Sequence, residues 1–335
     1  MPTPFKRAAA PWAQLILGAV ALVLGTASAA AQGWTPSKTI EIVVPSAPGG
    51  SNDKTARAIE RILQTNKLVP TAVVVVNKPG AGNMMTMNYI AQHNADAHYL
   101  MIGTPTILTG HIVGTNKLTY GDFTPIASLL KDYVVFAVRN ESSLKTGSEL
   151  VERLKKDPKS VSVGFATALG SHNHIAAGLL MKAIGGDVRA MKVLAFKGSS
   201  EAVTAVLGGH IDLVTTAAGN AARHVEAGKM RILGIAAERR MPGVLASVPT
   251  WKEQGVPIVF GGWRSIMGPK GMTAAQVGYW ENVLKQVTAT PEWKADLQRN
   301  FWAEDVAYGA NFADELKQEY AAMKSVLTEL GLAKQ

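Results

Sequence analysis

The chain has no cysteine among its 335 residues. A thiolate nucleophile, a cysteine-held zinc and an iron–sulfur cluster are therefore excluded, as is a lipid anchor on a processed N-terminus, which needs a cysteine. Charge is sparse, 18% against 47% hydrophobic residues, and aromatics make up 7%. The charge balance excludes a disordered chain. The basic residues are scattered, with pairs no longer than Lys155-Lys156 and Arg239-Arg240, so the basic and aromatic stripe of a nucleic-acid face is lacking and no nucleic-acid partner is expected. No Gly-Lys-Ser/Thr ends a glycine loop, no loop has G-x-G-x-x-G spacing, and no H-E-x-x-H occurs, which removes the P-loop, dinucleotide and zincin signatures.

The first thirty residues are different. Lys6 and Arg7 precede an apolar run, Leu15 to Leu24, and the small residues Ala27-Ser28-Ala29-Ala30-Ala31 follow. This order reads as a secretory signal peptide over residues 1–31; the run is too short to span a bilayer, which takes roughly 20 residues. The mature protein is expected to be free in the periplasm. Without Lys6 and Arg7 the formal charge of +9 becomes +7, which suits anionic small ligands once nucleic acid is set aside.

After Trp34, short β-branched runs alternate with longer stretches of helical period, the pattern of an α/β fold with a mainly parallel sheet. Strands are expected at 39–44, 72–76, 99–103, 133–138, 160–164, 191–195, 211–215, 230–235 and 263–267. Helices are expected at 53–64, 83–92, 147–156, 172–184, 199–207, 220–227, 274–287 and 310–330. The runs Tyr133 to Val138 and Trp263 to Met267 each end a block of alternation and read as crossings between two lobes. One lobe would comprise residues 34–138 plus 262–335, the other 139–261. Trp251, Trp263, Trp280, Trp293 and Trp302 are expected in the core.

Three glycine-bearing loops each leave a strand and enter a helix. Pro45-Ser46-Ala47-Pro48-Gly49-Gly50 leads to Ser51-Asn52-Asp53, Asn77-Lys78-Pro79-Gly80-Ala81-Gly82 leads to Asn83, and Gly164 to Ser171 leads to His172. Such a loop either cradles an anion on the free N–H groups of a helix N-terminus or only makes the turn, with Ser51 or Asp53 as the cap. Two such ends facing across a cleft suit a small acid without any lysine or arginine contact.

Seven segments in order carry a resemblance: Pro45-x-Ala-Pro-Gly49-Gly50-x-x-Asp53-x-x-Ala56-Arg57, Asn77-x-x-Gly80-Ala81-Gly82, Gly170-Ser171-x-x-His174, Phe196-Lys197-Gly198, Gly208-Gly209-x-Ile211-Asp212, Gly228-Lys229-x-Arg231 and Val248-Pro249-Thr250-x-x-Glu253-x-Gly255. Together they resemble the extracytoplasmic solute-binding proteins of tripartite tricarboxylate transporters, the Bug family, over essentially the whole mature chain. The resemblance implies a two-lobed α/β fold of the periplasmic-binding-protein type II (Venus flytrap) kind with two crossing strands. It also implies a small organic acid held mainly by backbone and hydroxyl groups, membrane permease subunits as partners, and no cofactor or metal. Carried over by position, the ligand contacts would be Ser46, Ala47, Gly49 and Gly50, with Asn83 and the Gly103-Thr104 loop nearby. On the other lobe they would be Ala166, Thr167, Gly170 and Ser171, with Thr215, Thr216 and Ala217 lining the wall. Ser46 stands where relatives often have a bulky aromatic, Ala166 and Ala168 where they tend to have Ser-x-Gly, Asn83 for a frequent glycine, and Ala195-Phe196 for Pro-Tyr. These departures suggest a mono- or dicarboxylate less polar at one end, an aromatic acid among the candidates.

Other readings are open to particular residues. Presentation of the ligand to a sensor kinase is a second role for such a receptor. Ser171 beside His172 and His174 suggests a secreted hydrolase, but the G-x-S-x-G elbow is missing and neighbours in sequence rarely align as nucleophile and base; no catalysis is expected. The two histidines, two residues apart on a helix, point to different faces and make a poor metal pair. Asp53 is expected to receive N–H groups of its own loop or an amino group of a ligand, Arg57 to pair with it, and Lys197 to lie exposed or near an anion.

Overall fold

The computed structural model describes residues 1–2, 33–167, 169–329 and 331–334, and its fold lies within residues 35–335. The expected leader falls outside the described residues apart from its first two. From Ile40 the alternation runs β1 (Ile40–Val44), α1 (Ser51–Thr65), β2 (Val73–Asn77), α2 (Met84–Ala91), β3 (Tyr99–Gly103), α3 (Thr106–Ile112) and β4 (Phe123–Arg139). Next come α4 (Gly147–Lys156), β5 (Ser162–Ala166), α5 (His172–Ala183), β6 (Lys192–Phe196), α6 (Ser199–Leu207), β7 (Leu213–Ala217), α7 (Ala218–Glu226) and β8 (Met230–Ile235). The chain ends with β9 (Gly261–Pro269), α8 (Ala274–Ala289), α9 (Pro291–Asn300), β10 (Ala303–Tyr308) and α10 (Gly309–Glu329).

One strand organises the sheet. The 17 residues of β4 pair antiparallel with β9 and β10 through their first part, and with β7 and β8 from Val134 onward. Beyond β9 lie β3, β1 and β2, and beyond β7 lie β5 and β6. Each outer set is parallel, so the sheet is mixed, not mainly parallel: antiparallel around β4 and parallel on both flanks. The return from the second flank passes beside β4 at Phe260, whose N–H donates to Ala236 and whose carbonyl accepts from Val134. The crossing segment expected at 133–138 is thus the second half of a longer strand, and 263–267 is the middle of β9.

Each half has its own core. Val43, Met101, Ile107, Phe123, Met267 and Phe312 fill the first. The second is packed on both faces of its strands: Val134, Phe136 and Val163 meet α5 on one side, and Val135, Ala137 and Val214 meet α6 and α7 on the other. Trp251 sets its ring edge-on against Phe136 at 5.1 Å. All five tryptophans expected inside are buried. Long α10 joins the halves. Phe312 and Leu316 sit in the first core, while Leu327 packs with the second. Its end is tied down by a Lys182–Glu329 ion pair, by Arg189 Nη2 donating to the Gly331 carbonyl, and by Lys334 N–H donating to Ile112 at 2.8 Å. Among the described residues no helix is long and apolar enough to cross a membrane.

Candidate functional site

Helix starts differ in how they are capped. Thr146, Thr273 and Thr290 cap α4, α8 and α9 with their side chains. At α1 and α6 the N-cap is Gly50 or Gly198, both extended and without a side-chain oxygen to offer. Their first N–H groups therefore lack both an intrahelical acceptor and a side-chain cap. The two loops meet. A Cβ added to Gly198 would lie 3.2 Å from Ala47 Cβ, and one on Gly49, whose φ is +84°, would lie 3.2 Å from Ser200 Oγ. Glycine is needed at 49 for the backbone angle and at 198 for the close approach. A third helix, α5, opens on the same spot, capped by Ser171, whose Oγ accepts the N–H of His174. Three helix N-termini, from both halves of the sheet, converge there, and their dipoles favour an anion.

Between them lies a small cavity of about 20 Å³, room for about one water. Ser46, Ser51, Asn52, Thr104, Thr106 and Arg264 line it from the first half. From the second come Ala166, Thr167, His172, Asn173 and Ser199. Several polar atoms in this lining are buried and make no hydrogen bond to any protein group: Asn52 Oδ1, Asn173 Oδ1, both ring nitrogens of His172 and Arg264 Nε. Such atoms ordinarily have partners, because each unpaired one costs about 1 to 3 kcal/mol. Two larger hollows, of about 350 Å³ beside Glu319 and about 280 Å³ beside Arg239, gather no such atoms.

Charge in this region is concentrated in one pair. Arg264 on β9 is 2% exposed and Asp132 on β4 is fully buried, with Nη2 and Oδ2 3.6 Å apart. Burial pushes the Asp132 carboxyl above its ordinary value and the Arg264 guanidinium below its own, and each opposes the other's shift. Burial first, then the charge of Arg264, holds His172 well below its usual range, so its imidazole is neutral. Among the described residues no cluster of His, Asp and Glu is placed to share a metal ion.

The expected site residues fall into two groups. Ser46, Thr104, Ala166 and Thr167 face the cavity. Thr167 does so from φ +77°, an unusual angle for a β-branched residue; its N–H donates to Phe196 and its Oγ1 to Ala166. The others do not line the cavity. Ala47 meets Gly198 across the contact, Gly49 meets Ser200 and Gly50 meets Ser199. Gly49 N–H donates to Asp53 Oδ2 at 2.9 Å. Asn83, in the left-handed region that asparagine tolerates, donates from Nδ2 to Thr104 Oγ1 at 2.9 Å. Gly170 packs on Val113 and donates its N–H to His174 Nδ1. Thr216 accepts from Asn220, and Ala217 is the N-cap of α7. Asp53 serves its own loop: burial alone would raise its carboxyl, but Gly49 N–H, Arg57 and Asn77 outweigh that and hold it below its ordinary value. Lys197 is exposed and does not line the cavity.

Ser51, Asn52, Thr106, His172, Asn173, Ser199 and Arg264 also line the cavity, although no expected contact fell on them. A signal existed for one: Arg264 is a lone charge within the strand-like run Trp263 to Met267, and a charge there is either exposed or employed. Ser171 does no nucleophile's work, since its Oγ is buried and used as a helix cap. His174 packs on Phe165, and burial lowers it to about 4. Between pH 6.5 and about 4 the unfolded chain binds a proton at residue 174 that the folded chain refuses, so stability falls as pH drops through that window. His174→Gln is expected to remove that part of the pH slope, on the order of 3 kcal/mol across the window. Urea midpoints of both proteins at about pH 7 and about pH 4.5 check this; equal losses would refute it.

Comparison with known proteins gives a consistent picture. A family model described as "Tripartite tricarboxylate transporter family receptor" matches residues 56–332. The protein BugT of Bordetella pertussis is 28% identical over 263 residues, 76% of this chain and 78% of that one. The solved periplasmic binding protein BugD has a TM-score of 0.82 at 23% identity, covering 90% of this chain and 100% of its own. Two Rhodopseudomonas palustris structures share the fold. MatC, with bound malate, has a TM-score of 0.77 at 24% identity and covers 87% of this chain and 99% of its own. The second, with adipate, has a TM-score of 0.81 at 22% identity and covers 89% and 99%.

Proposed function

This chain belongs to the tripartite tricarboxylate transporter receptor family, periplasmic solute-binding receptors and not enzymes, and we propose that it captures a small organic acid between two lobes and delivers it to a membrane permease. The lobes are residues 34–138 plus 262–335 and residues 139–261, moving about the strand crossings at β4 and Phe260. One observation carries the reading. The N-termini of α1, α5 and α6, drawn from both lobes, converge on buried polar atoms that have no protein partner. An acid touching both sides stabilises the closed arrangement over the open one, because only the closed one offers both sets of contacts. Malate and adipate, held by the two Rhodopseudomonas proteins, are the acids to try first; either would have to part the loops beyond the one-water cavity described above. The leader read at residues 1–31 supplies the route to the periplasm.

Melting the mature protein with a panel of mono-, di-, tricarboxylic and aromatic acids tests this. An acid at 100 times its dissociation constant adds about 2.7 kcal/mol to folding stability and raises the melting temperature, while the carboxamide of the same skeleton does not. Shifts by uncharged or cationic compounds, with none from any acid, would overturn the proposal.

A further inference from the structure

Arg264 is held in a way that leaves half of its guanidinium unused. Side chains alternate along β9: Trp263 reaches back to Glu319 at 2.6 Å, while Arg264 lines the cavity. Nη1 donates to two carbonyls of its own strand, Gly262 at 3.1 Å and Trp263 at 3.0 Å. Those bonds fix the plane of the group. Nε donates to nothing, and Nη2 comes only within 3.6 Å of Asp132 Oδ2, beyond a well-made hydrogen bond. Asp132 does not fill this edge: its Oδ1 has no partner, and its Oδ2 is taken up by the neighbouring hydroxyl of Ser51. Ser51 Oγ in turn accepts Trp302 Nε1–H at 3.2 Å.

The unused edge is the one that matches a carboxylate, since Nε–H and one Nη2–H run parallel and grip both oxygens at once. Among the described residues lining the cavity, Arg264 alone is a fixed cation. Neutral His172 lies close by: a Cβ on Gly262 would fall 2.8 Å from His172 Cδ2 and 3.1 Å from Arg264 Nη1.

We infer that the Nε–Nη2 edge of Arg264 is the carboxylate fork of this pocket, a direct ionic contact to the cargo in addition to the backbone and hydroxyl grip expected of the loops. The inference rests on the reading that the pocket takes an organic acid. It makes Arg264 the residue that separates acids from their amides and esters.

The test uses calorimetry with malate, adipate and benzoate on the wild type and on Arg264→Lys, together with a crystal structure of the wild type with the tightest binder. R264K keeps a cation beside Asp132 but loses the fork. A charge-assisted pair of this kind predicts a loss of about 10- to 150-fold in affinity. In the crystal, carboxylate oxygens are expected within about 3.2 Å of both Nε and Nη2. An acid that binds R264K within about threefold of the wild type, or that sits away from both nitrogens, overturns the fork and leaves the receptor reading standing. If none of the three binds the wild type, the most stabilising acid of the melting panel takes their place, and failure of every acid in that panel overturns both. If R264K does not fold, the wild-type crystal structure decides.

Discussion

Asp132→Leu is expected to lower the unfolding free energy by about 3 to 5 kcal/mol, because it strands the Arg264 guanidinium in a buried site without its counter-charge. The size follows from where the charge sits. With Arg264 2% exposed, a side chain already tied through Nη1 to Gly262 and Trp263 cannot swing out to solvent. Ser51 and, through it, Trp302 lose the acceptor that orders them. The double variant Asp132→Leu, Arg264→Met removes both charges and is expected to recover most of the loss, as buried pairs replaced by apolar residues commonly do. Urea unfolding of the four members of this cycle measures the coupling. A loss below about 1 kcal/mol for D132L would show that the pair is not the electrostatic keystone described here.

Gly219→Val carries the second large effect, on binding instead of folding. Gly219 lies in the first turn of α7, in the proposed second lobe, and a Cβ there would fall 2.2 Å from the carbonyl oxygen of Asn300, at the end of α9 in the first. Lys54 Nζ, on α1, reaches the Gly219 carbonyl at 3.5 Å across the same contact. A valine is expected to force the two apart at this point, beside Ala218 and Phe301, and so to disfavour the closed arrangement. An acid that binds only the closed form should lose about 100-fold in affinity, the factor by which the competent population falls when closure is disfavoured by about 2.7 kcal/mol. Calorimetry gives the affinity and small-angle scattering gives the opening. Wild-type affinity in a protein that scatters like the wild type would show that this contact does not limit closure.

Much of this architecture was legible in the sequence, for reasons visible in particular elements. The strands at Tyr99–Gly103 and Met230–Ile235 coincide with expectation because each is a β-branched or apolar run bounded by punctuation. The helices at Gly147–Lys156 and Ser199–Leu207 coincide because polar starts and periodic apolar residues mark them. The first half of β4 was missed. It contains Pro125, at an irregular register with β9, and the charges Lys131 and Asp132, which read as a loop until Asp132 is seen to be buried. Helix α3 is short and buried along most of its length, so it has no polar face to give it a period. Helix α9 starts directly after α8, at Pro291, where a proline reads as a break although it is the favoured first helical residue. Strand β10, Ala-Glu-Asp-Val-Ala-Tyr, lacks an apolar face.

The site divides in the same way. The glycines at 49, 50 and 170 signalled two of the converging helix starts, whereas Gly198, which meets Ala47, stood only within a motif of the resemblance. The cavity lining itself came also from polar residues at helix starts, such as Asn52, Asn173 and Ser199, which any helix start resembles. The Arg264–Asp132 pair joins two strands far apart in sequence, and single residues give no hint that two such charges are neighbours.

The course of α10 has a consequence for how receptors of this build can diverge. The helix rests on one half of the molecule and is tied by its last residues to the other, through exposed side chains at 182 and 329 and through Arg189. Those positions lie outside the cavity lining and carry no constraint from the cargo. If the lobes close on an acid as proposed, substitutions there are expected to change the ease of closure and leave the choice of acid intact. On the proposed function, the tail would then set how fast cargo is taken up, separately from the contacts proposed at Arg264 and the three helix ends.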